Sequence, residues 1–209
     1  MKDRHVLIVG TGRGVKDYRD KILKYIEDND IVTIGINRMT SLCIPDYHFW
    51  TNRQRFRDQH DCINEKSKLL LGCGLSEDFV RKYHKGDYTV IKYDNKIQSH
   101  VSYEDGEIRG NFRTAGILSI MIAHINGAKK IDIVGMDGYT LHDKEELLSK
   151  KANHHCYGVG YTEDACWTKC VAKDKAVEDG LFGLKEYGVD FRILTPTKFK
   201  DFYDSKEFG

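Results

Sequence analysis

The fold of this chain is decided by residues 111–139, which read NFRTAGILSIMIAHINGAKKIDIVGMDGY. Thr114 can cap a helix here, because its hydroxyl can accept a hydrogen bond from an amide of the first turn. The apolar residues that follow cover nearly every side of that helix: Ile117, Leu118, Ile120, Met121 and Ile122. Such a pattern is typical of a helix that packs against a sheet. Asn126 and Gly127 are expected to end it.

A short strand is predicted next, over 130–135, where the chain reads KIDIVG. Asp137 and Tyr139 follow directly, so an acid and a phenol stand at the carboxyl end of the strand. In open α/β sheets this edge is where ligands bind. We therefore predict a site that is lined by Arg113, Thr114, Gly116, Asp137 and Tyr139.

The composition favours one domain and gives no reason to expect a nucleic-acid partner. A chain of 209 residues is long enough for a sheet with helices on both faces, so we predict a single domain over 1–209. The 33 basic and 32 acidic residues nearly cancel, and the net charge is +1. The chain shows no apolar segment suited to a leader or a membrane span, so we expect a cytoplasmic protein. Its six cysteines are then expected to be reduced thiols.

The chain opens with HVLIVG at 5–10, a continuous apolar run that is typical of a buried parallel strand. A glycine-rich turn follows, and a helix is predicted from about Lys16 to Glu27. Such a turn lets backbone N–H groups approach a phosphate. The residues expected to do so are Gly10, Thr11, Gly12 and Arg13. The dinucleotide fingerprint would need a glycine at Val15 and an acid after the second strand, so NAD is disfavoured.

Two asparagines follow the next two predicted strands. The second strand, 31–36, ends in Asn37, and the third, 47–51, ends in Asn52. A neutral asparagine suits a nucleotide base or a sugar hydroxyl, and Asn37 suits a plain turn equally well. Because Thr11 follows the first strand, three consecutive strand ends carry polar side chains that can converge on one ligand.

The other segments complete an α/β pattern. The predictions are a strand at 67–71, a helix at 76–83 capped by Ser76, strands or hairpins at the sheet edge over 89–109, a helix from Thr162 to about Tyr187, a closing strand at 190–194 and an aromatic tail at 198–208. The least regular segment, 141–161, follows the central strand. A long loop in that place is often a lid, because its closure excludes water from the site.

Two histidines in this loop, His154 and His155, are candidate bases, and a polar pair without chemistry is the alternative. Together with three cysteines, Cys156, Cys166 and Cys170, they invite comparison with a zinc site. Their spacing matches no standard paired-cysteine motif, and small thiols one helical turn apart are more often simply buried. We therefore predict no metal site.

The order of these motifs resembles that of the bacterial lipooligosaccharide and capsule sialyltransferases. The blocks that carry the resemblance are GTGRGVKDY, INRM, WTN, FRTAGILSIMIAHINGAKKIDIVGMDGY and NHHCYG. The chain is also similar, more distantly, to archaeal 6-hydroxymethylpterin diphosphokinases. The resemblance implies an α/β fold: a single doubly wound Rossmann-like domain with a mostly parallel central sheet and a mobile loop over its carboxyl edge.

Carried over residue by residue, the resemblance implies nucleotide contacts from Gly12, Asn37, Asn52, Thr114 and Gly116. It also implies that Tyr139 lies near the donor phosphate. The chain departs from the family in its first loop, where TGRG replaces Asn-Gly-Pro-Ser, and at Val159, which aligns with the catalytic histidine. Because valine cannot accept a proton, His155 or His154 would have to take that role.

We therefore predict a transferase, namely a sialyltransferase-like, nucleotide-sugar-dependent glycosyltransferase of cell-surface glycan (polysaccharide) biosynthesis. The predicted catalytic residues are His155, His154, Tyr139 and Asp137. The expected partners are a nucleotide-activated sugar, with a CMP-sugar favoured, and a glycan or small-molecule acceptor; no tightly bound cofactor is expected. Two alternatives stay open: a Mg²⁺-dependent diphosphokinase or nucleotidyl transferase, in which Asp137 would have to reach the metal, and a nucleotide-binding protein without catalysis. A homo-oligomer is compatible with the sequence.

Overall fold

The computed structural model describes residues 1–39, 42–95, 100–142, 144–145, 155–156 and 166–208. Within them, the strands are β1 (His5–Val9), β2 (Val32–Ile36), β3 (Tyr47–Trp50), β4 (Lys68–Gly72), β5 (Thr89–Asp94), β6 (Ser102–Glu104), β7 (Glu107–Arg109), β8 (Lys130–Val134) and β9 (Arg192–Ile193). The helices are α1 (Gly14–Asp17), α2 (Arg19–Asp28), α3 (Arg53–Gln59), α4 (Glu77–Val80), α5 (Ala115–Ile125) and α6 (Trp167–Glu186).

The described strands form one sheet in the order β6-β7-β5-β4-β3-β2-β1-β8-β9. Every neighbouring pair is parallel except β6 with β7. β1 is an interior strand, since it pairs with β2 on one side and with β8 on the other. The prediction of a mostly parallel α/β sheet is therefore confirmed, and the architecture is compatible with a Rossmann-like fold. The strand ends that carry Thr11, Asn37, Asn52 and Asp137 lie at the same edge.

Alternate residues of β1 face two different cores. Val6 and Ile8 pack in one core with α5 and the middle of α6, whereas Leu7 and Val9 pack in a second core with α2. α5 is buried continuously from Ile117 to Ala123, as its apolar sequence predicts. Burial of apolar surface on both faces of a parallel strand explains why β1 is a continuous hydrophobic run.

Two predicted helices differ from the observed ones. The helix expected from Lys16 to Glu27 is split at Tyr18, whose backbone (φ −108°, ψ 18°) leaves the helical region and whose ring stacks on Phe208. The helix expected over 76–83 is only the single turn α4. After it, the amides of Tyr83 and His84 both donate to the carbonyl of Val80, so the regular helical hydrogen bonding does not continue. Ser76 precedes α4, but its side chain makes no capping hydrogen bond.

The two edges of the sheet and the aromatic tail follow the predictions more closely. The segment 89–109 supplies β5, β6 and β7 at one edge of the sheet. The closing strand is shorter than expected, since only Arg192–Ile193 pairs with β8. In the aromatic tail, Phe199, Phe202 and Phe208 are all buried.

Most of the predicted 141–161 loop falls outside the described residues, and so does Thr162, where the following helix is predicted to begin. The same holds for His154 and Val159. Among the residues that are described, no helix combines the length and the apolar character that crossing a membrane requires.

Candidate functional site

A cavity of about 260 Å³ lies at the carboxyl edge of the sheet, and we call it the edge cavity. The strand order changes direction between β1 and β8, which is the place where open α/β sheets bind ligands. The predicted site residues that line the cavity are Gly10, Thr11, Gly12, Asn37, Asn52, Arg113, Thr114, Gly116, Asp137, Tyr139 and His155. Arg13 is not among the lining residues, and its guanidinium pairs with Asp17 at 3.2 Å.

The glycine-rich turn is packed tightly against the end of β8. The amides of Gly10 and Gly12 donate to the carbonyls of Val134 and Gly135, at 2.8 and 2.9 Å. The amide of Gly14 donates to Asp137 Oδ2 at 2.8 Å. Three of the turn's amides are therefore engaged within the protein. The glycines allow the backbone of the turn to approach the end of β8 closely. Fewer of its amides are therefore left to bind a phosphate than the sequence motif predicts.

Asp137 holds this turn in place through the hydrogen bond from Gly14. Its side chain is only 5% exposed, and its second oxygen, Oδ1, makes no hydrogen bond to any described residue. The end of β8 is fixed in turn by two buried threonines. Thr195 accepts from the Gly135 amide at 2.9 Å, and Thr197 donates to the Met136 carbonyl at 2.6 Å.

Substituting Gly12 with alanine is expected to destabilise the protein by about 1–3 kcal/mol, the range for overpacking a filled site. A Cβ at this position would lie 2.6 Å from Asp137 Oδ1 and 2.7 Å from the Gly135 carbonyl oxygen, and the latter is backbone that cannot turn away. Gly74→Ala is the matched control, because its Cβ would meet no atom within 4 Å. Urea unfolding of both variants measures the effect, and equal midpoints would contradict it.

His155 lies directly beside the glycine-rich turn that follows β1. It forms an isolated antiparallel bridge with Gly12, and the Cys156 amide donates to the Thr11 carbonyl at 2.9 Å. Its Nδ1 lies 3.3 Å from both the carbonyl and the hydroxyl oxygen of Thr11, and its Nε2 lies 3.4 Å from Arg55 Nη2. Because a guanidinium can only donate, this contact requires the lone pair on Nε2, so the neutral ring carries its proton on Nδ1.

Two arginines give the edge cavity a positive side. Arg55 reaches it from α3 and Arg113 from the segment before α5. Arg113 is exposed and forms no ion pair with a described residue. Asp137 is the acidic side chain that lines the cavity within the described part of the chain, and it is turned toward Gly14. The cavity is thus suited to an anionic ligand.

Helix caps and turns position the three predicted polar contacts. The side chains of Asn52 and Thr114 cap α3 and α5, at 2.8 Å from Arg55 N and 3.4 Å from Ile117 N. Asn37 adopts a left-handed conformation (φ 50°), and its buried Oδ1 has no hydrogen bond to a described residue.

His48 fixes the turn at Asn37 by donating from Nε2 to the Asn37 carbonyl at 2.5 Å. Burial lowers the pKa of His48 to about 4, against the opposing effect of that bond, so the ring is neutral.

Tyr139 lies beside α6 rather than on a strand. Its amide and that of Thr140 donate to the buried carboxylate of Asp174, at 2.7 and 2.8 Å. The ring packs with Trp167 over Cys170, which is 1% exposed, whereas Cys166 is exposed. Within the described residues, no group of three or more His, Cys, Asp or Glu side chains is placed to hold a metal ion.

Sequence reasoning missed Arg55, His48 and Asp174. Of these three residues, Arg55 is the one that the sequence could have indicated, since it stands three residues after the predicted contact Asn52, at the start of a helix. His48 and Asp174 lie inside a strand and a helix, where a polar residue gives no sign of what it contacts. Their roles follow from tertiary packing alone.

Comparison with known proteins gives no independent support for a family. The sequence matches no protein-family model, and no curated protein matches it at a significant level. The resemblance to the sialyltransferases therefore stays a prediction that rests on the motifs quoted above.

Proposed function

We propose that the edge cavity binds a nucleotide-activated sugar, with a CMP-sugar favoured, and that the protein transfers the sugar to a glycan or small-molecule acceptor. The observation that carries this proposal is the convergence of His155, Tyr139 and two arginines, Arg55 and Arg113, on one cavity. These groups come from four separate segments of the chain. A base, a phenol and two cations in one place are what transfer from a phosphate leaving group requires.

The cavity offers complementary groups to both ends of such a ligand. Arg55 and Arg113 can neutralise a phosphate, which guanidinium groups recognise through paired hydrogen bonds. Asn37 and Asp137 each present a buried oxygen that has no hydrogen bond to a described residue, and a ligand hydroxyl or amino group would satisfy it. The volume of about 260 Å³ is slightly below the range of about 300–1,000 Å³ that is usual for small-molecule sites.

The proposed reaction needs one proton transfer and one displacement. The acceptor hydroxyl attacks the anomeric carbon of the donor, the carbon–oxygen bond to the phosphate breaks, and the nucleotide leaves with the bonding electrons. His155 Nε2 takes the hydroxyl proton when Arg55 turns from the ring to the phosphate. Tyr139 and Arg113 stabilise the charge that develops on the leaving group. Asp137 holds the glycine-rich turn and takes no part in the proton transfer.

The finer architecture belongs to the same proposal. We take the chain to be a single doubly wound domain over 1–209, in which the 141–161 loop closes over the edge cavity during transfer. Closure would exclude water, which otherwise competes with the acceptor for the donor. The proposed setting is the cytoplasmic stage of cell-surface glycan biosynthesis.

A thermal-shift panel of CMP, CDP, UDP, GDP and ATP, each with and without Mg²⁺, tests the proposal. We expect CMP to stabilise the protein without metal, by about 2.7 kcal/mol at a hundredfold excess over its dissociation constant. Arg113→Ala should reduce the shift, and Lys129→Ala, a basic residue that does not line the cavity, should not. CMP-sugars are then assayed for CMP release in the presence of acceptor glycans.

Two other results would redirect the proposal. A response to ATP alone, and only with Mg²⁺, would favour phosphoryl or nucleotidyl transfer, with Asp137 as the acidic group nearest the ligand. If none of the nucleotides raised the melting temperature, every nucleotide-dependent function proposed here would be rejected. Binding of CMP without turnover of any CMP-sugar would favour a nucleotide-binding protein that lacks catalysis.

A further inference from the structure

We propose that Asp174 is a positioning residue that holds Tyr139 against the edge cavity, so that α6 governs how the site binds a phosphate. The inference rests on the proposed function, because it assigns Tyr139 a contact with the ligand. Asp174 itself does not line the cavity. It acts on the ligand only through the turn that it binds.

The carboxylate of Asp174 is 6% exposed and accepts three hydrogen bonds from two consecutive residues. The Tyr139 amide donates to Oδ1 at 2.7 Å, and the amide and hydroxyl of Thr140 donate to Oδ2 at 2.8 and 2.6 Å. Both oxygens are therefore used, and an ionised carboxylate suits two amide donors better than a neutral group does.

The turn from Met136 to Thr140 has no regular secondary structure of its own. Its conformation therefore depends on partners from elsewhere in the chain, which include the Lys198 amide, a donor to the Asp137 carbonyl at 2.7 Å, and the side chain of Asp174. Gly138 makes the approach to α6 feasible, since its φ is +89° and a Cβ there would lie 2.7 Å from Lys198 Cβ and 3.3 Å from Asp174 Oδ1. The backbone thus passes through a space that only a glycine fits, and the carboxylate fixes the residues that follow it.

The Tyr139 ring is held by the same face of α6. Trp167 and Cys170 pack with the ring, and the Lys173 ammonium lies 5.1 Å from its centroid. Residues 167, 170 and 174 are spaced by three and four, so they share one side of a helix. One helix face therefore sets both the backbone and the ring of Tyr139. Nothing in the 130–139 sequence shows this dependence.

A double-mutant cycle measured by CMP titration calorimetry tests the inference. Asp174→Asn leaves one acceptor oxygen for the two amides and places an NH₂ group against one of these N–H donors. CMP affinity should therefore fall on the order of tenfold. In a Tyr139→Phe background the same substitution should have little further effect, because the hydroxyl that it displaces is already gone. Asp179→Asn is the control on the same helix; Asp179 is exposed and pairs with Lys175 at 3.2 Å. An equal loss in both backgrounds would overturn the inference.

Amide hydrogen exchange followed by NMR separates this inference from the proposed function. Without any ligand, Asp174→Asn should speed exchange at Tyr139 and Thr140 and leave the β1 amides unchanged. Thr140→Val, which removes one donor and keeps the carboxylate, is the milder variant if Asp174→Asn does not fold. Unchanged exchange at both amides in whichever variant folds would refute the positioning role. Faster exchange without any CMP binding would uphold the positioning of Tyr139 by Asp174 and reject the nucleotide site.

Discussion

Replacing His155 with alanine is expected to lower turnover by about 10²–10⁴-fold, the range that a positioned general base contributes. The imidazole is held by Thr11 through Nδ1, and Nε2 is the atom that accepts from Arg55 in the described geometry. The lone pair of His155 Nε2 therefore faces Arg55, on the side of the proposed phosphate site. No described histidine other than His155 lines the edge cavity, so none of these residues offers a second imidazole to replace it.

The experiment compares three variants under saturating donor. His155→Ala and His155→Gln should both lose turnover, since neither side chain can accept the proton at neutral pH, while CMP affinity stays within a few-fold. His60→Ala is the control, because its ring packs on Tyr83 and does not line the cavity. If His155→Gln retained wild-type turnover, the base would have to be another residue, and the proposed role of His155 would be wrong.

The second large effect concerns stability rather than turnover. Asp132, in the middle of β8, is fully buried, and its carboxylate contacts four groups. His5 Nε2 and Arg192 Nε each lie 2.7 Å away, the Tyr25 hydroxyl donates at 2.6 Å, and the Lys130 ammonium lies at 3.1 Å. Removing one partner of a buried charge network costs about 3–5 kcal/mol. We expect Asp132→Asn to cost about 3 kcal/mol, because two of the cations reach solvent.

The pH dependence of this loss follows from the charge of Asp132. Burial by itself would raise the pKa of Asp132, but hydrogen bonds from His5, Arg192 and Tyr25 and the charge of Lys130 together hold it well below its usual value. A carboxylate whose pKa is lowered by folding contributes stability above its unfolded pKa, and this contribution is lost as pH falls through the folded value. The difference between wild type and Asp132→Asn should therefore be full at neutral pH and shrink below about pH 5.

Urea unfolding across this pH range measures the difference. Asp190→Asn is the matched control, because Asp190 is fully exposed and pairs with Lys185 at the surface. Its unfolding midpoint should stay close to that of the wild type at any pH, since exposed ion pairs contribute little. A gap between wild type and Asp132→Asn that did not narrow in acid would mean that the carboxylate's charge is not what stabilises the fold.

Arg192 links this network to the end of the chain. Its guanidinium also pairs with Asp204 at 2.6 Å and with Glu207 at 3.1 Å. The hydrogen bond to Asp132 is the main cause that raises the pKa of Arg192, so the guanidinium stays charged throughout the accessible range. The sequence predicts that the aromatic tail packs on the body through Phe199, Phe202 and Tyr203. The structure adds that Arg192 also holds the tail through two ion pairs, with Asp204 and Glu207.

The sequence alone determined the elements whose signal is local. The apolar runs of β1 and α5 predict buried elements, because a strand covered on both faces and a helix packed on several sides select apolar residues. The residues that follow parallel strands could be assigned to one edge, since parallel strands all end on the same side of a sheet. Local pattern was therefore enough to predict that Thr11, Asn37, Asn52, Asp137 and Tyr139 meet at that edge.

Only the tertiary structure decided what those residues contact. Gly12 belongs to a glycine-rich turn that is typical of a phosphate site in sequence, yet it packs against Asp137 at the end of β8. Asp174, His48 and Arg55 lie in regular elements, and their partners are distant in sequence. The physical reason is that a periodic pattern reports whether a side chain is buried. Which donor meets a buried carboxylate depends on how elements far apart in the chain are brought together.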